Sequence, residues 1–215
     1  MLSEVCDAIS PARLATYLRA TGGDVTEALS LYRWNQDIAG GFLRPLCNLE
    51  VTLRNALVEQ LEILARPHQW WEHCVLGQDP KSRIKLNEAM ARLRYNRRAL
   101  TKDTLVAEMM LGFWVGLLDS QFDAELWRRG LHRAFPHYHG PRGTLRAELK
   151  FVLHLRNRIG HHEPIYHRHL AADHLTIHRL LGYLSPEMRG WSLTQDPLPV
   201  LIGGNPVPRQ RIAAP

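Results

Sequence analysis

A run of leucines at helical spacing is the feature that most constrains the fold of this chain. Leucine recurs every three or four residues, which places one apolar stripe along a single face of an α-helix; the positions are Leu46, Leu49, Leu53, Leu57, Leu61 and Leu64. No run of residues alternates between apolar and polar with period two over the length of a strand, and no Asn-Gly or Asp-Gly hairpin signal occurs. The sequence therefore predicts an all-α fold, a helical bundle in which this stripe is buried.

The length and composition indicate one domain followed by a tail. The chain has 215 residues, 45% of them hydrophobic and 22% charged, as in an ordinary folded domain. From residue 196 onward proline and glycine become frequent, and such a composition disfavours regular structure. We predict a helical domain over residues 1–193 and an irregular tail over residues 194–215.

Three further segments carry predictions about helices. Gly40, Gly41 and Pro45 interrupt a helical pattern that begins after Asp24, and they predict long helices with a kink rather than a stop. The segment 104–118 is apolar nearly all round and predicts a central buried helix. The segment 81–102 has eight basic residues against Glu88 at helix-compatible spacing. It indicates either a solvated helix face or one that faces RNA.

Charge and cysteine content indicate the compartment and the class of partner. The formal net charge of +6 favours an anionic partner such as nucleic acid. The three cysteines show no paired spacing, which is typical of free thiols in a reducing cytosol. There is no N-terminal signal pattern and no apolar run of the ~18 residues that a membrane span needs. We expect a cytoplasmic protein without membrane contact.

One stretch contains residues suited to cutting a phosphodiester. Residues 155–164 have the sequence LRNRIGHHEP and bring Arg156, Asn157, His161 and His162 within seven residues. Cleavage of RNA without a metal needs a proton removed, a proton delivered and negative charge stabilised at phosphorus. Histidine titrates near neutral pH, and the planar fork of arginine matches phosphoryl oxygens. The stretch therefore predicts a ribonuclease site.

Helical geometry limits how these residues can meet. His161 falls on the same face as Asn157, whereas Arg156 lies about 140° from His161 around an ideal helix. Two arrangements would bring them together. Either the helix loosens at Gly160, encouraged by Pro164, or two copies of the chain pool their residues across a dimer axis.

The residues around this stretch also carry a family resemblance. The segment LRNRIGHHEPI (155–165) resembles the R-x(4-6)-H signature of HEPN domains in its RNxxxH form, and more narrowly the Abi-like (abortive infection) proteins. The segments 31–61 and 177–188 are also similar to that family. The resemblance implies a helical-bundle, metal-independent endoribonuclease that acts as a homodimer in phage defence or as a toxin, with a protein antitoxin or a regulatory RNA as a further partner. It implies that Arg156 and His161 form the catalytic pair with Asn157 as polar companion, while His162 also fits the spacing.

The same residues leave other interpretations open. Between residues 142 and 169, six basic residues face two acidic ones, and we expect RNA contacts from this segment and from the 81–102 segment; the candidates are Arg146, Lys150, Arg158, Arg97 and Arg98. The motif would alternatively be a helix end stabilised by cations, or the chain a catalytically inactive HEPN scaffold that binds RNA or a partner protein, or a structural dimerisation domain. His174 and His178 have the i, i+4 spacing of metal ligands, but with no cysteine or HExxH nearby we expect no metal and no cofactor.

Overall fold

The chain folds into helices only, as the sequence predicts. The computed structural model describes residues 2–194 and 196–207, and no strand occurs within them. The α-helices are α1 (Leu2–Ile9), α2 (Pro11–Ala20), α3 (Val25–Ala65), α4 (Cys74–Gln78), α5 (Pro80–Tyr95), α6 (Lys102–Glu108), α7 (Leu111–Gly116), α8 (Arg142–Gly160), α9 (Leu170–Leu184), α10 (Pro186–Leu193) and α11 (Leu198–Gly203). Short 3-10 and π turns connect α7 to α8.

Helix α3 is the centre of the bundle. It is 41 residues long, begins at the N-cap Asp24 and runs without a break through Gly40, Gly41 and Pro45. Its leucine stripe is buried from Leu46 to Leu61 and half-buried at Leu64, because α2, α8, α9, α10 and α11 all pack against α3. The predicted stripe and the continuity of the helix are both confirmed. Despite its length, neither α3 nor any other helix within the described residues is apolar enough over a sufficient stretch to cross a membrane.

Two predictions about the middle of the chain are wrong. The 104–118 segment is not one central helix, because Met109 and Met110 are extended and separate α6 from α7. The guanidinium of Arg92 donates to the carbonyl oxygen of Glu108 at 2.8 Å and so satisfies a backbone group that a continuous helix would use. The basic helix also ends early, at Tyr95, and the backbone of Arg97 then adopts a left-handed conformation (φ 52°).

The predicted irregular tail is wrong for its first part. Residues Leu198–Gly203 form α11, which packs on α3 and α9. Leu198 is fully buried, and the indole of Trp34 donates to the carbonyl oxygen of Leu201 at 2.8 Å. Proline at the start of this helix costs no hydrogen bond, which explains why a proline-rich segment can be helical here. Residues 208–215 of the predicted tail lie outside the described residues.

Gly41 allows α11 to approach α3. A Cβ atom at Gly41 would lie 2.9 Å from Leu201 Cδ1 and 3.0 Å from Leu198 Cδ2, whereas one at Gly40 would meet nothing within 4 Å. We therefore expect Gly40→Ala to raise the free energy of unfolding by about 0.5–1 kcal/mol, since alanine favours the helix. Gly41→Ala should instead lower it by about 1 kcal/mol, because the overpacking cost exceeds the helix gain. Urea denaturation of both variants measures the difference, and equal stabilities would contradict the close packing of α11.

Candidate active site at the end of helix α8

The motif occupies the last turns of α8, and the burial pattern of that helix sets its orientation. The core-facing residues recur at helical spacing and are all buried: Leu145, Leu149, Val152, Leu155 and Ile159. The helix begins at Arg142, directly after its N-cap Pro141. Because Leu155 and Ile159 anchor the final turns in the core, Arg156 and Asn157 between them lie at the protein surface, each partly exposed.

Arg156 and Asn157 line the same groove. This groove has a volume of about 240 Å³ and lies between α5, the 109–113 segment and α8. Lys85 and Arg92 from α5 add positive charge to it, and Met110 and Phe113 add apolar surface. The side chain of Arg156 retains 42% exposure, and its Nε lies 3.8 Å from Glu50 Oε2 on α3. The structure thus brings two predicted site residues together in a basic, partly apolar groove.

The helix does not loosen at Gly160. The amide of His161 still donates to the carbonyl oxygen of Asn157 at 2.9 Å, so helical hydrogen bonding continues past the glycine. The chain turns one residue later, where His162 has φ 54°. The amides of His162 and Glu163 donate back to the carbonyl oxygens of Ile159 and Arg158, a pattern that satisfies the helix end. The prediction that Gly160 lets His161 swing toward Arg156 is therefore wrong.

The two histidines are exposed, and neither lines the arginine groove. Within residues 2–194 and 196–207, neither imidazole makes a hydrogen bond or an ion pair, and the same is true of the Asn157 amide. His162 lines a second groove of about 540 Å³, together with Arg13, Asn35 and Glu163. His161 lies on neither groove. A single chain thus leaves Arg156 and the histidines on different surfaces.

The loop after the motif is held in place by buried and half-buried contacts. Asn35, a buried residue of α3, accepts the amides of Ile165 and Tyr166 on its Oδ1 at 2.7 and 3.1 Å. The Tyr166 hydroxyl donates to the carbonyl oxygen of Thr16, and burial raises the pKa of that hydroxyl. Arg13 donates to the carbonyl oxygen of His162 at 3.0 Å. These bonds fix the position at which the histidines leave the helix.

Most of the residues predicted to contact RNA are paired with acidic residues. Arg146 Nε donates to Asp119, and Lys150 Nζ lies 3.9 Å from the same carboxylate. Arg158 contacts Glu163 at 3.4 Å and donates to the carbonyl oxygen of Pro164 at 2.7 Å. In the 81–102 segment, Arg98 contacts Glu108 at 3.3 Å. Arg97 makes no ion pair among the described residues.

Three residues that position the site were not identified from the sequence. They are Asn35, Glu50 and Arg13, and each meets the motif from a helix more than a hundred residues away in the chain. Asn35 had a detectable signal, because a polar side chain at a buried position of an apolar helical stripe requires a specific partner. Glu50 and Arg13 lie on the surface sides of their helices, where sequence periodicity gives no indication of a contact.

Within residues 2–194 and 196–207, potential metal ligands gather at His174, His178 and Asp196, and this cluster includes neither His161 nor His162. Near the motif, burial, followed by the charges of Arg158 and Arg168, lowers the pKa of His167. That imidazole is therefore neutral at pH 7.

The comparisons identify no relative of this chain. No family model matches the sequence, and neither a curated protein nor a solved structure matches it.

Proposed function

We propose that this protein is a metal-independent endoribonuclease of the Abi-like HEPN type, acting in phage defence or as a toxin. The observation that carries the proposal is the arrangement at the end of α8. Arg156 and Asn157 line a basic groove there, and two exposed histidines follow four and five residues after Asn157. Arginine, amide and imidazole groups are those that cleavage by the 2′-hydroxyl requires. The resemblance of residues 155–165 to the RNxxxH signature supports the same assignment.

The reaction needs no oxidant, metal or cofactor. An imidazole removes the proton of the 2′-hydroxyl, and the resulting oxygen nucleophile forms a bond to phosphorus while the bond from phosphorus to the 5′-oxygen breaks. The 5′-oxygen takes up a proton, which leaves a 2′,3′-cyclic phosphate and a 5′-hydroxyl. Arg156 stabilises the charge that develops on the phosphoryl oxygens, because its side chain is 42% exposed and lies no closer than a weak 3.8 Å contact from Nε to Glu50.

The active site is proposed to form across a homodimer. In one chain Arg156 lies on the side of α8 that meets α3, and helical bonding keeps His161 about 140° away. A two-fold axis near the end of α8 would place Arg156 and Asn157 of one chain beside His161 of the second. RNA would lie across both copies, and Lys85 in the groove would contact its phosphates, whereas Arg92 is held by Glu108.

We assign proton transfer to His161 rather than to His162. His161 continues the face of α8 that contains Asn157, since its amide is still bonded to the Asn157 carbonyl oxygen. His162 instead occupies the left-handed position that ends the helix, and it lines the second groove. Its backbone conformation thus assigns His162 a structural part at the turn.

RNA incubated with the purified chain in EDTA tests the function. We expect cleavage that leaves 2′,3′-cyclic phosphate ends, and a rate about 10²- to 10⁴-fold lower for His161→Ala. His162→Gly should keep the activity and stabilise the fold by up to about 1 kcal/mol, since glycine favours φ 54°. Wild-type protein that leaves RNA intact sinks the nuclease proposal, and loss of activity only in His162→Gly would reverse the assignment of the two histidines.

A non-catalytic module that binds RNA or a protein is the second candidate. The ion pairs of Arg146 and Lys150 with Asp119, and of Arg158 with Glu163, favour the protein-binding form of this module, because they neutralise much of the charge expected to hold RNA. Such a module would bind without cutting, and its affinity would not depend on His161. Gel-shift and cleavage assays on the same RNA separate the two functions.

A further inference from the structure

A buried cluster of two histidines and one aspartate joins α9 to the segment before α11. His174 Nε2 lies 2.5 Å and His178 Nε2 lies 3.0 Å from the same oxygen, Asp196 Oδ2. The side chains of His178 and Asp196 are each 4% exposed and that of His174 is 12% exposed. Three potential ligand atoms therefore lie within 4.8 Å of one another in a site largely closed to solvent.

The surroundings of the cluster place it in a fixed geometry. His174 and His178 are one helical turn apart on α9, and their rings lie 4.5 Å apart, centroid to centroid. The second oxygen of Asp196, Oδ1, accepts the amide of Leu198 at 2.9 Å and so orients the carboxylate toward the imidazoles. A ligand oriented by a hydrogen bond on its far side is typical of metal sites.

The donor set selects the class of metal. Two imidazole nitrogens and one carboxylate oxygen suit zinc and similar transition metals, whereas magnesium and calcium prefer oxygen ligands. Arg189 adds a positive charge near His178, so a cation here must be held by directional bonds to nitrogen rather than by net negative charge. Ligand atoms of a tetrahedral zinc ion lie roughly 3.3 Å apart at bond lengths of about 2.0–2.1 Å. The two nitrogen-to-oxygen distances, 2.5 and 3.0 Å, would therefore each lengthen by less than about one ångström when the ion binds.

We propose that His174, His178 and Asp196 bind one zinc-type divalent metal ion, with water as the fourth ligand. The ion links the middle of α9 to the chain that enters α11, and α11 in turn packs on Gly41 and Trp34 of α3. Metal occupancy therefore controls how firmly residues 196–207 dock on the central helix. The site shares no residue with the proposed nuclease site.

Metal uptake by the full-length chain tests the proposal without reference to RNA. The chain is stripped with EDTA, desalted and titrated with ZnCl₂ by calorimetry, and the Co²⁺-loaded form is examined by visible absorption. We expect one ion per chain, a tetrahedral Co²⁺ spectrum, and slower hydrogen exchange in residues 196–207 when metal is bound. Asp196→Asn, which preserves side-chain size, should weaken binding at least about tenfold, and His178→Ala should abolish it.

A matched control is available in His68, an exposed histidine far from α9 in the chain. His68→Ala should bind zinc as the wild type does, which shows that histidine content alone is not responsible. Circular dichroism verifies that each variant is folded. A wild-type chain that takes up neither zinc nor cobalt overturns the proposal, and so does uptake that Asp196→Asn and His178→Ala leave unchanged. The Co²⁺ spectrum of the wild type gives an answer even if a variant does not fold.

Discussion

A heterodimer of one Arg156→Ala chain and one His161→Ala chain is expected to keep about half of the wild-type cleavage rate, whereas each mutant homodimer should lose 10²- to 10⁴-fold. In a shared site, Arg156 of one chain works with His161 of the other. The mixed dimer then contains one site with both residues intact and one site with neither. Co-expression with two different tags, followed by tandem affinity purification, isolates this species for the assay.

A second heterodimer provides the control. It joins a wild-type chain to a chain that has both Arg156→Ala and His161→Ala. If the site is shared, both of its sites lack one group and the dimer should be inactive. If the site lies within one chain, this second dimer keeps half of the activity and the first one has none. The two outcomes are opposite, so the pair of measurements decides between a shared site and a site within one chain.

Replacement of Asn35 by leucine should destabilise the protein strongly and displace the motif. Asn35 Oδ1 accepts the amides of Ile165 and Tyr166 in a buried environment. Leucine would leave both donors unsatisfied, at a cost of about 1–3 kcal/mol each. We expect the free energy of unfolding to fall by about 3 kcal/mol in urea denaturation. Hydrogen exchange at the two amides should accelerate, and RNA cleavage should decline because the loop after His162 is no longer held.

Asn55→Leu is the matched control for that substitution. Asn55 lies on the same helix α3 and follows an arginine within a repeat of the Leu-Arg-Asn tripeptide, but it is exposed. Its replacement should change the free energy of unfolding by less than about 0.5 kcal/mol. An equal loss in both variants would show that the cost arises from the new leucine rather than from the buried hydrogen bonds.

The proposed metal site affects how the nuclease assay is interpreted. If EDTA lowers RNA cleavage, the cause is either a metal in the reaction or release of a structural ion from α9. A folded Asp196→Asn chain separates the two, because it lacks the structural site but keeps Arg156, Asn157 and His161. Activity retained by this variant in EDTA supports a metal-independent reaction.

The proposed metal site and the motif loop are attached to the same helix. Trp34 of α3 contacts α11, and its neighbour Asn35 contacts the loop that follows the motif.

Periodicity was sufficient to predict the helical class and the buried face of α3. The leucine stripe and the start of α3 after Asp24 depend on neighbours within a few residues, and local preferences determine them. The same reasoning failed at 104–118 and at α11. There a distant arginine stabilises the extended Met109–Met110 segment, and a glycine of α3 makes room for a helix in a proline-rich sequence.

The sequence by itself determined which groups lie at the end of α8, and its helical geometry already indicated that Arg156 and His161 diverge. Only the tertiary structure decided that the helix stays intact through Gly160, that Glu50 lies beside Arg156, and that Asn35 holds the following loop. It also supplied Asp196 as the third member of a cluster that contained only a histidine pair in the sequence. The physical reason is the same throughout: these contacts join residues far apart in the chain, and only the packing of helices around α3 brings them within bonding distance.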